Sequence, residues 1–453
     1  MKIKNKPFAL SSLVNIETFC LVLLGGGILT WLEPKISVSE IEKRELARFP
    51  SFSFNKLFEG HYTDSLDLYY ADHFANREQW VNFTSSIKSY FGFRVNDLMV
   101  YQRENPELAG LDSIQLTDSL GNIKKDSSGL EQKNRKDPNG QPPEMKNAIL
   151  IYNGMAFQLF GRNQEAENNF ATTINKYKQK LGDSIRVFAC VVPSPIDFYL
   201  PDEYKSKHNV EKSSIEYIYS KLVPEVLAVD AYSLLEKNVD DFIYFKTDHH
   251  WTARGAYQAY RAFCDEAGLE AVNLSSLQRY VKKPFLGSLY SITLDHRLKT
   301  SGDSLEYFIP PVKTQAWRYP DRDLQKIIPT EVVSQRLGKA GSYLVFLGGD
   351  YPLTHIITGN KNGQKILMIK DSYGNAMVPF LTLHYEEVFV VDYRSFDSNL
   401  INFMVRHNIL DLLFLHNVSM ANTKYTASRE NYLTRIKDLI PKVTRDTTHI
   451  TVE

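Results

Sequence analysis

From about residue 146 onward, short apolar runs alternate with amphipathic helical stretches along the chain. This alternation is typical of βα units, in which helices cover both faces of a mostly parallel sheet. Before the first run, Phe170, Ile174, Tyr177 and Leu181 recur at helical spacing, and Gly182 follows as a suitable end for a helix. The predicted strands span residues 185–192, 226–229, 366–369, 388–391 and 410–415. The pattern therefore predicts an α/β fold.

The first 35 residues have the pattern of a targeting segment. Lys2, Lys4 and Lys6 precede an uncharged apolar stretch over residues 18–32. Basic residues before an apolar stretch predict an N-terminus in the cytoplasm and a chain that continues outside it. Because no small-x-small cleavage site follows, we expect an uncleaved single-pass membrane anchor, with a cleaved signal peptide as the alternative.

Three further segments depart from the α/β pattern. Residues 39–92 show helical spacing without a chemistry-bearing cluster, which predicts a packing extension. A polar tract from about 104 to 144 has too few apolar residues for a core and predicts a mobile surface insertion. Aromatic clusters and turns over about 273–365 are interpreted as an insertion within one domain. The predicted division is an anchor (1–35), a helical extension (36–103), the polar insertion (104–145) and the main domain (146–453).

Composition narrows the class of protein without naming its function. The chain has 453 residues, of which 43% are hydrophobic, so it has ample material for a core. Fifty-three Lys plus Arg balance fifty-three Asp plus Glu, so the bulk charge does not recruit nucleic acid. Cys190 and Cys264 lie in core-like stretches, and we expect buried thiols there instead of a disulfide.

The densest polar cluster is the run Lys246-Thr247-Asp248-His249-His250-Trp251, which precedes a helical stretch. In a near-extended segment residues two apart point the same way, so Asp248 and His250 can share a face while His249 faces elsewhere. A carboxylate that accepts from one imidazole nitrogen leaves the other nitrogen free to accept a hydroxyl proton. The cluster is thus a candidate for a catalytic base, His250, and the carboxylate that orients it, Asp248.

Two other interpretations of this cluster remain open. The residues can be structural, since His and Asp often serve as helix caps and Thr252 is itself a candidate N-cap. A metal site is less favoured, because adjacent histidines diverge and no second pair of ligands has suitable spacing. We expect neither a metal nor a cofactor.

A second cluster, Lys370-Asp371-Ser372-Tyr373-Gly374-Asn375, follows the predicted strand at 366–369 and precedes a helical stretch. A strand-to-helix turn places Ser372 at the carboxyl edge of the sheet, where α/β proteins bind ligands and where helix N–H groups can receive an oxyanion. Ser372 is therefore a candidate nucleophile, and a capping serine is the alternative. No G-x-S-x-G elbow is present, which disfavours the common α/β-hydrolase.

Two further strand ends predict polar groups on the same edge. Asp392-Tyr393-Arg394 follows the strand at 388–391, and His416-Asn417 follows the strand at 410–415. Side chains at the ends of parallel strands are the expected lining of an active site in this kind of sheet.

At these residues the chain resembles the DHHW family of bacterial proteins, whose motif stands here as Asp248-His249-His250-Trp251. The resemblance covers roughly residues 39–420, with gaps at the polar insertion. Its other matching elements are Glu42-Lys43-Arg44 with Leu46-Ala47-Arg48-Phe49-Pro50, Gly287-Ser288-Leu289-Tyr290, the segment 346–352, and Lys370-Asp371-Ser372-Tyr373 with Val378-Pro379-Phe380.

That family is similar to the alginate O-acetyltransferases of the SGNH-hydrolase-like superfamily. The resemblance implies a three-layer sandwich with a circularly permuted motif order, because here the Asp/His motif precedes the serine. It implies that Asp248 orients, His250 is the base and Ser372 is the nucleophile. Asn417 and Arg394 would then lie at the oxyanion positions, and Tyr373, His249 and Trp251 would complete the oxyanion and substrate-binding set.

The resulting hypothesis is a serine-dependent O-acetyltransferase or acetylesterase. It would act outside the cytoplasm on a cell-envelope or exported polysaccharide through an acetyl-serine. The resemblance also implies a membrane-bound O-acyltransferase as acetyl donor. The alternative is a non-catalytic cell-surface protein that binds glycan through its aromatic residues.

Overall fold

The computed structural model of the chain describes residues 10–32, 38–39, 44–77, short stretches between 79 and 87, and residues 99–102, 148–204, 211–339 and 341–439. It divides into two compact units, one formed by residues 1–96 and 286–302 and the other by residues 97–285 and 303–453. The predicted polar insertion at 104–145 and the three N-terminal lysines lie outside the described residues. The predicted division into domains stays a prediction.

The smaller unit contains the N-terminal helix and several short elements. They are α1 (Leu10–Leu32), β1 (Val38–Ser39), β2 (Arg44–Glu45), α2 (Phe54–Phe58), α3 (His61–Asp72), and α9 (Ser288–Thr293) and α10 (His296–Ser301) from the second segment of the unit.

Within the described part of the chain, α1 is the single helix long and apolar enough to cross a membrane. Its apolar part is Val14–Leu32, with a mean hydropathy of 1.5. The whole helix has 23 residues, and at about 1.5 Å of rise per residue it is roughly 34 Å long, slightly more than the hydrocarbon core of a bilayer. The helix can therefore serve as an anchor or as a signal sequence.

The larger unit carries the α/β fold. Its helices are α4 (Gln164–Leu181), α5 (Ile196–Tyr199), α6 (Glu211–Ser220), α7 (Ala231–Lys237), α8 (Ala253–Ala267), α11 (Gln335–Lys339), α12 (Gly374–Leu381), α13 (Leu400–His407), α14 (Val418–Ala421) and α15 (Lys424–Leu433). Its strands are β3 (Met99–Gln102), β4 (Ala148–Tyr152), β5 (Met155–Gln158), β6 (Arg186–Val192), β7 (Val226–Ala228), β8 (Gln278–Phe285), β9 (Asp303–Ile309), β10 (Thr314–Tyr319), β11 (Ile328–Thr330), β12 (Leu353–Thr358), β13 (Lys365–Lys370), β14 (Glu387–Asp392) and β15 (Asp411–Asn417).

Eight of these strands form the central sheet in the order β11-β10-β12-β14-β13-β15-β6-β7. The strands from β14 to β7 in that order are parallel, and they are the five strands that the apolar runs predict. The α/β prediction is therefore confirmed. Strands β10, β11 and β12 come from the predicted insertion at 273–365 and extend the sheet by antiparallel pairing. The permuted order of motifs stays a prediction.

The sheet has an apolar layer on each face. Successive side chains of a strand point to opposite faces, so Ile366 and Met368 of β13 join one core and Leu367 and Ile369 join the other. We call the first core, which also contains Trp251, the motif layer. Burial on both faces explains why the parallel strands read as continuous apolar runs.

Helix α4 begins and ends where local chemistry predicts. The Asn163 side chain accepts from the Ala166 N–H and begins α4, and Gly182 ends it with φ 73°. In α8 a Cβ at Gly255 would lie 2.3 Å from the Ile243 carbonyl oxygen. Only glycine therefore allows the first turn of α8 to approach the segment that carries the histidine motif.

Candidate active site

The histidine motif lies in a loop that is closed by backbone pairing. Tyr244 and Trp251 form an antiparallel bridge, and the Thr252 N–H donates to the Ile243 carbonyl at 2.9 Å. The Thr252 hydroxyl then accepts from the N–H groups of Arg254 and Gly255 and begins α8, as the sequence predicts. The pairing at its base thus fixes the loop at the start of α8.

Asp303 holds the start of this loop from β9. Its carboxylate accepts from the Thr247 N–H at 2.7 Å, from the Thr247 hydroxyl at 2.5 Å and from the Lys246 N–H at 3.0 Å. Burial raises the pKa of the Asp303 carboxyl, and the bonds from Thr247 and Lys246 partly offset that rise. This contact orients the backbone immediately before Asp248.

Asp248, His250 and Ser372 form one hydrogen-bonded chain. His250 Nδ1 lies 2.7 Å from Asp248 Oδ1, and His250 Nε2 lies 2.7 Å from the Ser372 hydroxyl oxygen. An ionised carboxylate only accepts, so Nδ1 donates to Asp248 and a neutral ring presents its Nε2 lone pair to the serine. The backbone N–H of His250 also donates to Asp248 Oδ1 at 3.0 Å. This is the geometry that activates a serine nucleophile.

Ser372 lies in the tight turn between β13 and α12. The Asp371 carboxylate accepts from the N–H groups of Tyr373 at 2.9 Å and Asn417 at 2.7 Å, which ties the turn to the end of β15. A Cβ at Gly374 would lie 2.6 Å from Lys370 Cβ, so the turn requires glycine there. Among the described residues no side chain caps α12. The Ser372 hydroxyl therefore pairs with His250 and is not the N-cap.

Trp251 and Tyr373 join the two motifs. The Trp251 indole N–H donates to the Tyr373 carbonyl at 2.9 Å, and the Tyr373 hydroxyl donates to the His249 carbonyl. Both side chains are buried, and burial raises the pKa of the Tyr373 phenol well above its usual value. The contacts of these two residues support the loops that carry His250 and Ser372.

His249 lies beside His250 and is partly exposed. Its Nδ1 is 3.7 Å from Asp248 Oδ1, and its ring centroid is 3.8 Å from that of His250. Ligand atoms of Asp248, His249 and His250 come within 4.8 Å of one another, close enough to hold a metal ion. Both ring nitrogens of His250 are already in hydrogen bonds, so a metal on His250 would have to displace Asp248 or Ser372.

Asn417 ends β15 in a buried position next to the serine turn. Its side-chain carbonyl accepts from the Ser419 N–H at 2.9 Å and begins α14. Its side-chain NH₂ has a long contact of 3.4 Å to the Val192 carbonyl. The amide group is thus held in place while its NH₂ makes only a weak bond.

Arg394 belongs to an ionic network at the same edge. Its guanidinium binds the carboxylates of Asp392 and Asp350, and the Lys370 ammonium binds the same two carboxylates. Burial opposes ionisation of Asp350, but Lys370 and Arg394 hold its pKa well below the usual range. Asn375 also donates to Asp350 at 2.8 Å. The Arg394 guanidinium is therefore already paired with two carboxylates.

The sequence interpretation missed three residues of this site. Tyr343 stacks on His250, Asp303 fixes the loop before Asp248, and Asp350 links Lys370 to Arg394. A local signal exists for Asp350 alone, because it follows the glycine pair of a turn. Tyr343 and Asp303 lie far from both motifs in the chain, and nothing in their immediate sequence marks them.

Comparison with known proteins decides the family. Residues 142–391 match the family model described as DHHW protein, which is more than half of the chain. The chain belongs to the DHHW family. A DHHW family protein from Eubacterium siraeum has a similar structure at 33% identity and a TM-score of 0.57, over 64% of this chain and 96% of that one. No curated protein matches the chain.

Two more distant structures are also similar to this DHHW protein. Bacillus cereus PatB1 with a sulfonyl adduct matches at 19% identity and a TM-score of 0.52, over 61% of this chain and 98% of that one. The O-acetyltransferase domain of Pseudomonas putida AlgJ matches at 15% identity and a TM-score of 0.34, over 62% and 96%. The PatB1 likeness supports the fold.

Proposed function

We propose that this DHHW protein is a serine-dependent O-acetyltransferase or acetylesterase. The observation that carries the proposal is the position of His250, whose two ring nitrogens lie 2.7 Å from Asp248 Oδ1 and 2.7 Å from the Ser372 hydroxyl oxygen. Ser372 follows a parallel strand at the carboxyl edge of the sheet, which is the edge where such folds bind ligands. Roles in the reaction follow from this arrangement.

In the first half-reaction His250 Nε2 takes the Ser372 proton while the serine oxygen attacks the acetyl carbonyl carbon. The tetrahedral intermediate collapses, the bond to the donor oxygen breaks, and that oxygen leaves with the proton from His250. In the second half-reaction His250 deprotonates an acceptor hydroxyl, whose oxygen attacks the acetyl carbon of the acetyl-serine. The bond from that carbon to the Ser372 oxygen then breaks, and the serine oxygen takes back the proton from His250. Asp248 keeps the His250 tautomer fixed and stabilises the imidazolium formed in each step.

Among the candidate oxyanion donors the proposal favours Asn417 over Arg394. The weak contact of the Asn417 NH₂ leaves it able to donate to a developing oxyanion. Arg394 would have to leave two carboxylates to do the same. Tyr373, His249 and Trp251 retain a supporting role, since their contacts fix the loops around the triad.

The acceptor in this proposal is a cell-envelope or exported polysaccharide, as the family resemblance implies. With water in place of a sugar hydroxyl the same steps give an esterase. The apolar helix α1 supports an anchored protein whose larger unit works outside the cytoplasm. A membrane-bound O-acyltransferase is the proposed source of acetyl groups.

Turnover of a fluorogenic acetyl ester tests the proposal. Ser372→Ala and His250→Ala should each lower kcat by about 10² or more, the usual scale of general-base assistance. Ser233→Ala, which changes a serine on α7, should turn over like the wild type. Full activity in well-folded Ser372→Ala protein would remove the proposal. Saturable glycan binding without any turnover would instead favour a binding protein.

A sulfonyl fluoride gives a second test, because such reagents modify activated nucleophiles. Labelled peptides should carry the modification on Ser372, and His250→Ala should prevent it. Labelling that is equal in the wild type and in His250→Ala would show that Ser372 is not activated by this histidine.

A further inference from the structure

Arg318 lies at the same edge of the sheet as the triad. It is the next-to-last residue of β10, which is antiparallel to β12, and β12 is antiparallel to β14. Strand β10 therefore runs in the same direction as the parallel strands. The register aligns Tyr319 with Leu353 and Leu353 with Val391, so β10 and β14 end at the same level.

Arg318 also lies on the same face of the sheet as the triad. Ala316, two residues earlier, packs in the motif layer together with Trp251, and the next residue, Tyr319, packs in the opposite core. Because alternate residues of a strand share a face, Arg318 points to the side of the motif layer. Its contacts agree, since it touches Tyr351, the neighbour of Asp350 in the ionic network.

No carboxylate compensates the charge of Arg318 within the described part of the chain. Its guanidinium carbon lies 4.7 Å from the centroid of the Tyr351 ring, and one NH₂ donates to the Tyr351 hydroxyl. Its Nε is buried and has no hydrogen-bond partner among the described residues. Lys370 and Arg394, in contrast, share the carboxylates of Asp350 and Asp392.

A partly buried guanidinium without a counter-ion loses hydration, and the contacts of Arg318 with Tyr351 replace only part of it. The guanidinium lies over the Tyr351 ring and donates to its hydroxyl. The planar fork of an arginine suits bidentate binding of a carboxylate or phosphate. Arg318 therefore carries one positive charge that lacks a negative partner, at the edge of the sheet that holds the candidate active site.

We propose that Arg318 and Tyr351 bind an anionic group of the acceptor, so that the acceptor is a polysaccharide with carboxylate or phosphate substituents. This inference rests on the proposed function. Strands β10 and β13 are three strand spacings apart, roughly 14 Å. The anionic group and the acetylated hydroxyl therefore belong to different residues of a chain-like acceptor.

The test compares acceptors of equal length and different charge. Acetyl transfer from a small acetyl ester is measured with a uronic acid trisaccharide, a polyol phosphate oligomer and a neutral glucose trisaccharide. The variants are Arg318→Gln, Arg318→Lys and, as a matched control, Arg261→Gln, which removes a partly exposed arginine from α8. The two anionic acceptors distinguish a carboxylate from a phosphate as the group that is bound.

Arg318→Gln should lower the ratio of kcat/KM for the anionic acceptor to that for the neutral acceptor about tenfold, mainly through KM. Arg318→Lys should recover part of the ratio, and Arg261→Gln should keep the wild-type ratio. Equal ratios in the wild type and Arg318→Gln, with both anionic acceptors, would overturn the inference.

Binding gives a readout that does not depend on turnover. By calorimetry, the full-length wild type should bind one of the two anionic oligomers about tenfold more tightly than Arg318→Gln does. Equal affinities would overturn the inference even if the enzyme is active. Absence of Ser372-dependent turnover together with a clear loss of affinity in Arg318→Gln would overturn the proposed function and leave anion binding by Arg318 supported.

Discussion

The ring of Tyr343 lies parallel to the ring of His250, with centroids 4.0 Å apart and planes 8° apart. Asp248 and Ser372 hold the two nitrogens of the imidazole by hydrogen bonds, and Tyr343 covers one face of the ring. The Tyr343 hydroxyl is buried near the Trp251 indole and has no hydrogen bond of good geometry within the described part of the chain. The aromatic face is therefore the part of Tyr343 that acts on His250.

Removal of the aromatic ring of Tyr343 should slow turnover of the acetyl ester. Tyr343→Leu should lower kcat about three- to tenfold, because an aromatic pair is worth about 0.5–1.5 kcal/mol. Tyr343→Phe keeps the ring and should stay within about twofold of the wild type. Steady-state kinetics with the acetyl ester provide the measurement. Equal losses in the two variants would show that the hydroxyl, not the stacked ring, supports His250.

The bond from Trp251 to Tyr373 should contribute to stability as well as to activity. Trp251→Phe removes a buried donor and leaves the Tyr373 carbonyl without its partner, which should cost about 1–3 kcal/mol of unfolding free energy. It should also lower kcat, since the carbonyl belongs to the residue after Ser372. Trp317→Phe, at a partly exposed tryptophan on β10, is the control for chemical denaturation and kinetics. Losses of the same size in both variants would contradict a special role for Trp251.

Periodicity was sufficient for the five parallel strands of the central sheet. The five parallel strands are buried on both faces, so each appears in the sequence as an apolar run between helices, and the boundaries of β6 and β13 differ from the predicted runs by only a residue. Strands β10 and β12 lack that signal, because they lie in a region of aromatic clusters and turns. Their antiparallel addition to the sheet depends on tertiary contacts that no local pattern reports.

The candidate site was predictable where its residues share a motif. Asp248 and His250 are two positions apart, and Ser372 marks a strand-to-helix turn, so residue type and spacing indicate their chemistry. Tyr343 and Asp303 reach the site from other segments of the chain. Their contributions become visible only when the fold brings those segments together.

Stability should fall as the pH is lowered from about 6.5 to 4, partly because of His407. Burial lowers the pKa of His407 to about 4, with Arg406 and Lys365 acting in the same direction. Between that value and its unfolded pKa near 6.5, the unfolded chain binds a proton that the folded chain does not. The stabilising effect of neutral His407 is therefore present above about pH 6.5 and is lost toward pH 4.

Denaturant titrations of the wild type and His407→Gln at a series of pH values provide the measurement. Between pH 6.5 and 4 the wild type should lose more unfolding free energy than His407→Gln. The difference should correspond to the uptake of at most one extra proton on unfolding. Parallel curves for the two proteins would show that His407 does not titrate on unfolding.

The central claim is that Ser372 carries the acetyl group during turnover. The most direct measurement is peptide mass spectrometry of full-length protein that is mixed with an acetyl ester and quenched in acid before turnover is complete. We expect one acetyl group on the Ser372 hydroxyl in the wild type and none at that position in His250→Ala. Steady turnover with Ser372 unmodified, or with the acetyl group on another residue, would contradict the account.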